Sequence, residues 1–487
     1  MTTQTAIILG LVLYGLLMLG VSLFFMMRVK KPADYLVAGR GLPTFILTGT
    51  IAATCIGTGV VLGGSGLAYR HGWAGCAYPI GLGIGTLLAG IMFAVMRRHK
   101  FMTLAEEIAC YYGNNRVVVE FSNIGLFLSQ VCWLTVQIMG GTLVLVTVTG
   151  MPRELCLLIA GLVTAMISIP GGLKTVIYTD FFQAAILLTG FGVLLYMALS
   201  SSGGLSGLTQ TIPTERLSFL GTKSYGPWEV YGLMVVLTLS VIADPGRRLT
   251  MFTARSATGA KIAMVVGGLI VVCFSVVIGV IGIYTYTLNQ NLADPEQALP
   301  WLVMNVLPPW LAALMVVSLT SAVFSSANGN AAAAGTFFVR HIYPLVMRRF
   351  PKNPLRTVRR ALVAAFIIST CIALFTENIV EFVKQFLTVT MSGLAVIILI
   401  GRFWRRATWQ GALAALIVTP TVSLVIMFIN TEGAFWGTPV IPASIAGIIA
   451  HFAVSLATPR GTRSFEEIVE KMHQEREAIE EVSLGGH

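Results

Sequence analysis

The chain has 487 residues, of which 56% are hydrophobic and only 11% charged. Soluble domains carry about 25% charged residues, so this composition excludes a soluble enzyme or signalling domain and predicts a polytopic membrane protein. The net charge of +11 sits in short basic loops between apolar runs, with no aromatic interleaving, which points to membrane flanks and not to nucleic acid.

The apolar runs are long and do not alternate, so helices and not barrel strands are expected to cross the bilayer. Thirteen spans are predicted, at about 5–27, 43–69, 75–96, 118–149, 153–170, 177–199, 228–244, 262–286, 309–338, 361–376, 381–401, 408–429 and 438–457. The N-terminus lacks a basic stretch ahead of its apolar run and carries Arg28, Lys30 and Lys31 after it. That pattern describes a first span with its N-terminus outside, not a cleaved signal peptide. Loops on the same side as Arg28 hold Arg97, Arg98, Lys100, Arg116, Lys174, Arg247, Arg248, Arg255, Lys261 and the cluster from Arg340 to Arg360. The opposite loops hold few cations, so the basic side is read as cytoplasmic and the C-terminus as inside.

Span 2, FILTGTIAATCIGTGVVLGGSGLAY, crowds Gly57, Gly59, Gly63, Gly64 and Gly66 into its middle. Interior glycine costs a helix about 1 kcal/mol against alanine. Two readings fit: close helix packing, or a helix broken at mid-membrane to expose backbone groups to an ion and a solute. In span 4, Trp133 and Gln137 are one turn apart, and Gln137 needs a partner in lipid, either another helix or a ligand. Asp180 and Asp244 lie at the basic-side ends of spans 6 and 7, and Asp244 before Pro245-Gly246 reads as interfacial. Glu381 and Lys384 open span 11 at i, i+3 spacing and are expected to pair.

Span 9 is organised around LAALMVVSLTSAVFSSANGNAAAAGTFFVRHIY, residues 311–343. Ala322, Ser325 and Ser326 fall at i, i+3 and i+4 and share one helix face. Hydroxyls in membrane helices commonly bond to their own backbone or to a neighbour; hydroxyl and carbonyl oxygens are also the ligands a hard monovalent cation takes. Two outer loops, 200–227 and 287–308, are polar, the second with a short surface helix expected. The segment 458–487 is rich in Glu and reads as a short amphipathic cytoplasmic helix. The seven cysteines are scattered without CxxC spacing, and no metal, nucleophile or phosphate-loop motif appears.

Taken in order, ADYLVAGRGLP, IAATCIGTGVVLGGSGLAYRHG, FMTLAEEIACYYGN, QIMGG, GGLKTVIYTDFFQ and SAVFSSANGNAAAAGTFFVRHIY resemble the successive motifs of the sodium:solute symporter family. The resemblance covers about residues 5–400 and implies an all-α inverted five-helix-repeat (LeuT-like) transporter fold. One transmembrane domain, 1–457, would contain repeat one at about 43–199 and repeat two at about 228–401, with spans 2 and 7 broken. It also implies a sodium site built from the backbone carbonyls of Ala53, Ile56 and Ala322 and the hydroxyls of Ser325 and Ser326. The solute is expected beside the break, among Thr54, Cys55, Gly57, Thr58, Trp133 and Gln137. Asn328 and Gly329 stand where some members have the hydroxyls of a second sodium site, and Cys55 stands where some amino-acid transporters have an acid. Arg340 and His341 stand where acids are common.

The function this implies is sodium-coupled symport of a small polar organic solute into the cell, with sodium as coupling ion. No enzyme activity, organic cofactor, nucleic acid or obligate protein partner is implied; the partners are the solute, sodium and the bilayer of, by expectation, a bacterial cytoplasmic membrane. Proton coupling and a non-transporting membrane sensor are the alternatives, although no acid lies at the expected ion site and the tail is short for an output domain.

Overall fold

Lipid offers no hydrogen-bond partners, so each backbone group must be satisfied within its own helix. The computed structural model obeys this: it describes residues 3–28, 41–429, 438–459 and 464–484, and those are overwhelmingly helical. The Ala33–Arg40 part of the first motif lies outside the described residues.

In chain order the long elements are α1 (Thr3–Arg28), α2 (Thr44–Cys55), α3 (Ser65–His71), α4 (Ala77–Phe93), α5 (Leu104–Tyr111) and α6 (Arg116–Thr149). Then come α7 (Arg153–Pro170) and α8 (Thr175–Ser201), which meet at Gly172. Next are α9 (Pro227–Ile242), α10 (Pro245–Phe252), α11 (Ala257–Leu288), α12 (Pro309–Phe337), α13 (Pro354–Leu374) and α14 (Ile379–Phe403). The last are α15 (Trp409–Ile429), α16 (Val440–Ala457) and α17 (Phe465–Leu484).

By length and composition, eleven runs among the described residues can cross a bilayer, or twelve when α9 and α10, bent by 46°, count as one. One of those runs, Gly59–His99, turns at Gly72 (φ 64). Its first arm continues α2 across a break, and its second is α4; read so, the thirteen expected spans are recovered.

Both broken spans were expected, and each break has a local cause. In span 2, α2 ends at Cys55 and Ile56 leaves helical geometry at φ −84, ψ 56. The chain then re-enters through a π-helical segment, Gly59–Gly64, before α3. In span 7, Asp244 caps α10 by accepting from the Gly246 N–H (2.8 Å), with Pro245 at the first helical position. Asp-Pro is a helix start signal, so the chain turns and resumes instead of entering a loop.

That second helix corrects the sequence reading of its neighbours. Asp244, Arg247 and Arg248 were assigned to an interface and a cytoplasmic loop; all three are buried. Arg247 pairs with Asp244. Arg248 Nε lies 3.3 Å from Glu107 Oε2 on α5 and its guanidinium stacks 3.8 Å over the Phe93 ring. Burial pushes the Glu107 carboxyl upward, against the pull of Arg248. The basic-side count still rests on the other loop cations.

The family-like T-x-x-E segment has a structural meaning here. Thr103 accepts from the Glu106 N–H while Glu106 accepts from the Thr103 N–H, a capping box that starts α5. The Thr103 hydroxyl also lies 2.8 Å from His341 Nε2, and Arg340 reaches Met102 Sδ at 2.7 Å. The Arg340–His341 departure from the family pattern thus forms the contact between the end of span 9 and α5. The Glu-rich segment is helical as expected, and it is docked on the body: Ile468 and Val469 are buried and Phe465 packs on Phe101 and Tyr111. Lys384 pairs with Glu381 (2.9 Å) as its spacing predicts, and also reaches Glu229 (3.6 Å).

Candidate functional site

The break in span 2 faces the middle of α12. Ser325 donates to the carbonyls of Ala53 and Ala322, each at 3.2 Å. Ser326 donates to the Thr54 carbonyl at 3.0 Å. Two hydroxyls on one face of α12 therefore meet backbone oxygens at the end of α2, where the helical ladder runs out and carbonyls lose their intrahelical donors. Ile56, the other expected ligand, is the residue whose φ/ψ turns its carbonyl off the α2 axis. Ser325 is fully buried and Ser326 is 2% exposed, so these oxygens are shielded from bulk water. An all-oxygen, uncharged donor set of this kind suits a hard cation; a bound ion would take the oxygen lone pairs once the hydroxyl protons rotate away.

Asp180 is fully buried, and its Oδ2 accepts from the Thr54 hydroxyl at 3.4 Å. The Asn328 Oδ1 is engaged by the Ser168 hydroxyl at 2.6 Å, and Gly329 packs against Thr54. Asn328 and Gly329 thus bring no hydroxyl to Asp180.

A small cavity lies beside the break. It is lined by Thr54, Cys55, Gly57, Trp133, Gln137 and Ser326, all expected at the ion or solute site, together with Tyr78, Arg247 and Asn330. Thr58 adjoins it through Gln137: its N–H (3.3 Å) and hydroxyl (2.7 Å) both donate to Gln137 Oε1. Gln137 is therefore interhelical glue through its oxygen and a cavity-lining group as well. Gly57 and Gly140 make this approach possible. A Cβ on Gly140 would overlap the Thr58 side chain, and one on Gly57 would overlap the Ser326 hydroxyl.

Sequence reasoning missed Tyr78 and Arg247. Tyr78 sits one turn into span 3 with no polar company in sequence. Arg247 was masked by its basic neighbours, although the Asp-Pro helix start before it was legible. Among the described residues no cluster of His, Cys, Asp and Glu is arranged to hold a metal ion.

A helix broken at mid-span, apposed to a hydroxyl-bearing helix with a small cavity of mixed polar and apolar lining alongside, is the arrangement of a secondary transporter of the broken-helix class. The family model for the sodium:solute symporter family matches residues 35–419. The chain belongs to that family and is a multi-pass membrane protein that carries a small solute with sodium. It is 25% identical over 465 residues to the sodium/pantothenate symporter of Escherichia coli, covering 92% of this chain and 95% of the relative. It is 23% identical over 485 residues to sodium/glucose cotransporter 4 of Danio rerio, covering 90% of this chain and 73% of the relative. In fold it resembles a substrate-bound, outward-open Na+-coupled sialic acid symporter, with TM-score 0.81 at 17% identity over 95% of this chain and 99% of that one. A nucleobase-cation-symport-1 family transporter shares the architecture at TM-score 0.59 and 16% identity, over 90% of this chain and 99% of that one.

Proposed function

We propose that sodium is held between the span 2 break and α12 by the carbonyls of Ala53, Ile56 and Ala322 and the hydroxyls of Ser325 and Ser326. The observation that carries this reading is the direct contact of Ser325 with two of the other expected ligands, Ala53 and Ala322. Sodium bridging the two helices orders the break, and the break forms one wall of the cavity. The solute then binds among Thr54, Cys55, Gly57, Thr58, Trp133 and Gln137.

Coupling follows from that shared wall. Sodium binding organises Thr54 and Gly57, which raises solute affinity, and the solute raises sodium affinity by the same factor. Inward sodium movement contributes about 2.3 kcal/mol per charge per 100 mV. The two five-helix units, about 43–199 and 228–401, each open with a bent or broken span, and movement of one unit against the other alternates access. The chemistry is movement without conversion of the solute.

The test is uptake by reconstituted full-length protein. An inward sodium gradient is set against equal potassium, with pantothenate, sialic acid and glucose as candidate solutes, chosen from the named relatives. Accumulation of a solute with sodium but not potassium supports the reading. Equal accumulation driven by a proton gradient without sodium moves the coupling ion to the proton.

A further inference from the structure

Among the described residues, Arg247 is the sole charged side chain lining the cavity beside the break, and no Asp or Glu lines it. Its guanidinium is anchored at two of three nitrogens, Nη1 to Asp244 and Nε to Cys55 Sγ at 3.4 Å. Asp244 is itself fully used: Oδ1 accepts from the Gly246 N–H (2.8 Å) and from Gln130 Nε2 (3.4 Å), and Oδ2 from Arg247. Arg247 Nη2 has no protein partner among the described residues.

Two further donors line the same cavity. Trp133 Nε1 and Tyr78 Oη are buried with no hydrogen-bond partner among the described residues. The Gln137 oxygen is consumed by Thr58, which leaves its amide N–H groups as what it offers. The cavity is therefore rich in donors whose acceptors are not supplied by the protein. Buried polar groups are almost always satisfied, and an ion pair serving structure alone would need Asp244 but not the surplus donors around it.

We propose that Arg247 sets the substrate class: the solute carries a carboxylate, which docks on the Arg247 guanidinium while Trp133 and Tyr78 donate to the same molecule. The rigid guanidinium can hold Asp244 and Cys55 through two nitrogens while aiming the third, Nη2, at the solute carboxylate, which a lysine ammonium on a flexible stem does not do. Cys55 matters here as well. An acid at that position would compete for the guanidinium, whereas the thiol takes only Nε and leaves Nη2 for the solute. The proposal rests on the reading that this cavity is the solute site.

The test uses the reconstituted full-length protein and the carboxylates of the uptake panel above, each beside a neutral counterpart in which an amide or alcohol replaces the carboxylate. Sodium-driven uptake is expected for carboxylates, with the neutral counterparts about 10- to 100-fold weaker as competitors. Arg247→Lys is expected to raise KM for the carboxylate while the stabilisation of the protein by sodium alone persists. Sodium-driven uptake of glucose with a KM untouched by Arg247→Lys would overturn the carboxylate proposal and leave the symport reading standing. Loss of any sodium effect in the wild type would instead strike the symport reading itself.

Discussion

Gly57 and Ser326 touch across the gap between span 2 and α12: a Cβ on Gly57 would overlap the Ser326 hydroxyl and stand 3.0 Å from its Cβ. Gly57→Ala therefore pushes the two helices apart at the expected ion site. Overpacking of this kind costs about 1–3 kcal/mol. The variant is expected to melt at a lower temperature and to lose its response to sodium. A lower melting temperature with the sodium response intact would show that this contact packs the helices without shaping an ion site.

Glu107 and Arg248 tie α5 to the second arm of span 7 in a pocket closed to water, with side chains 0% and 2% exposed. Tyr111 donates to the other Glu107 oxygen at 2.8 Å. Removing one partner strands a buried charge, which costs about 3–5 kcal/mol. Glu107→Gln or Arg248→Met alone is expected to lower the melting temperature in detergent substantially, and Glu107→Leu with Arg248→Met to recover most of the loss. Equal destabilisation in the double variant would mean that the pair is not coupled.

Glu296, in the outer loop before α12, accepts from the Ile379 and Val380 N–H groups at 3.1 Å each and so caps α14. Burial pushes its carboxyl up to about 7, against the pull of those two N–H groups. Below about pH 4.5 both the folded and unfolded chains hold the proton. Between about 4.5 and 7 the folded chain keeps a proton that the unfolded chain has released, so stability falls as pH rises through this window and is level above it. The contribution is on the order of 3 kcal/mol. Melting temperature recorded against pH should show this slope in the wild type and lose it in Glu296→Gln; a slope that persists in the variant would assign it to another group.

Much of the architecture was legible because membrane helices advertise themselves by length and apolarity. The glycines of span 2 left a break and close packing equally open until the family resemblance favoured the break, whereas the i, i+3, i+4 spacing alone put Ala322, Ser325 and Ser326 on one face, where the structure finds them. What remained hidden depended on tertiary contacts. Nothing in sequence tells a buried arginine from a loop arginine when the next residue is also basic, so Arg247 and Arg248 were counted as loop cations. The partner of Arg248 is Glu107, more than a hundred positions away, and the Thr103–His341 contact is equally remote. Gln137 was left between glue and ligand because its two ends do different things, one bonded to Thr58 and the other facing the cavity.

The central claim is that sodium binds where Ser325 and Ser326 meet the broken end of α2. The most direct test is the melting temperature of purified protein in rising sodium, at constant ionic strength with potassium, for wild type and Ser326→Ala. A ligand that binds only the folded state stabilises it by RT ln(1 + [L]/Kd), about 2.7 kcal/mol at a hundredfold excess over Kd. The account predicts a sodium-specific rise in the wild type that is lost or shifted to far higher sodium in Ser326→Ala. A wild type indifferent to sodium, or a variant that responds as the wild type does, would contradict it.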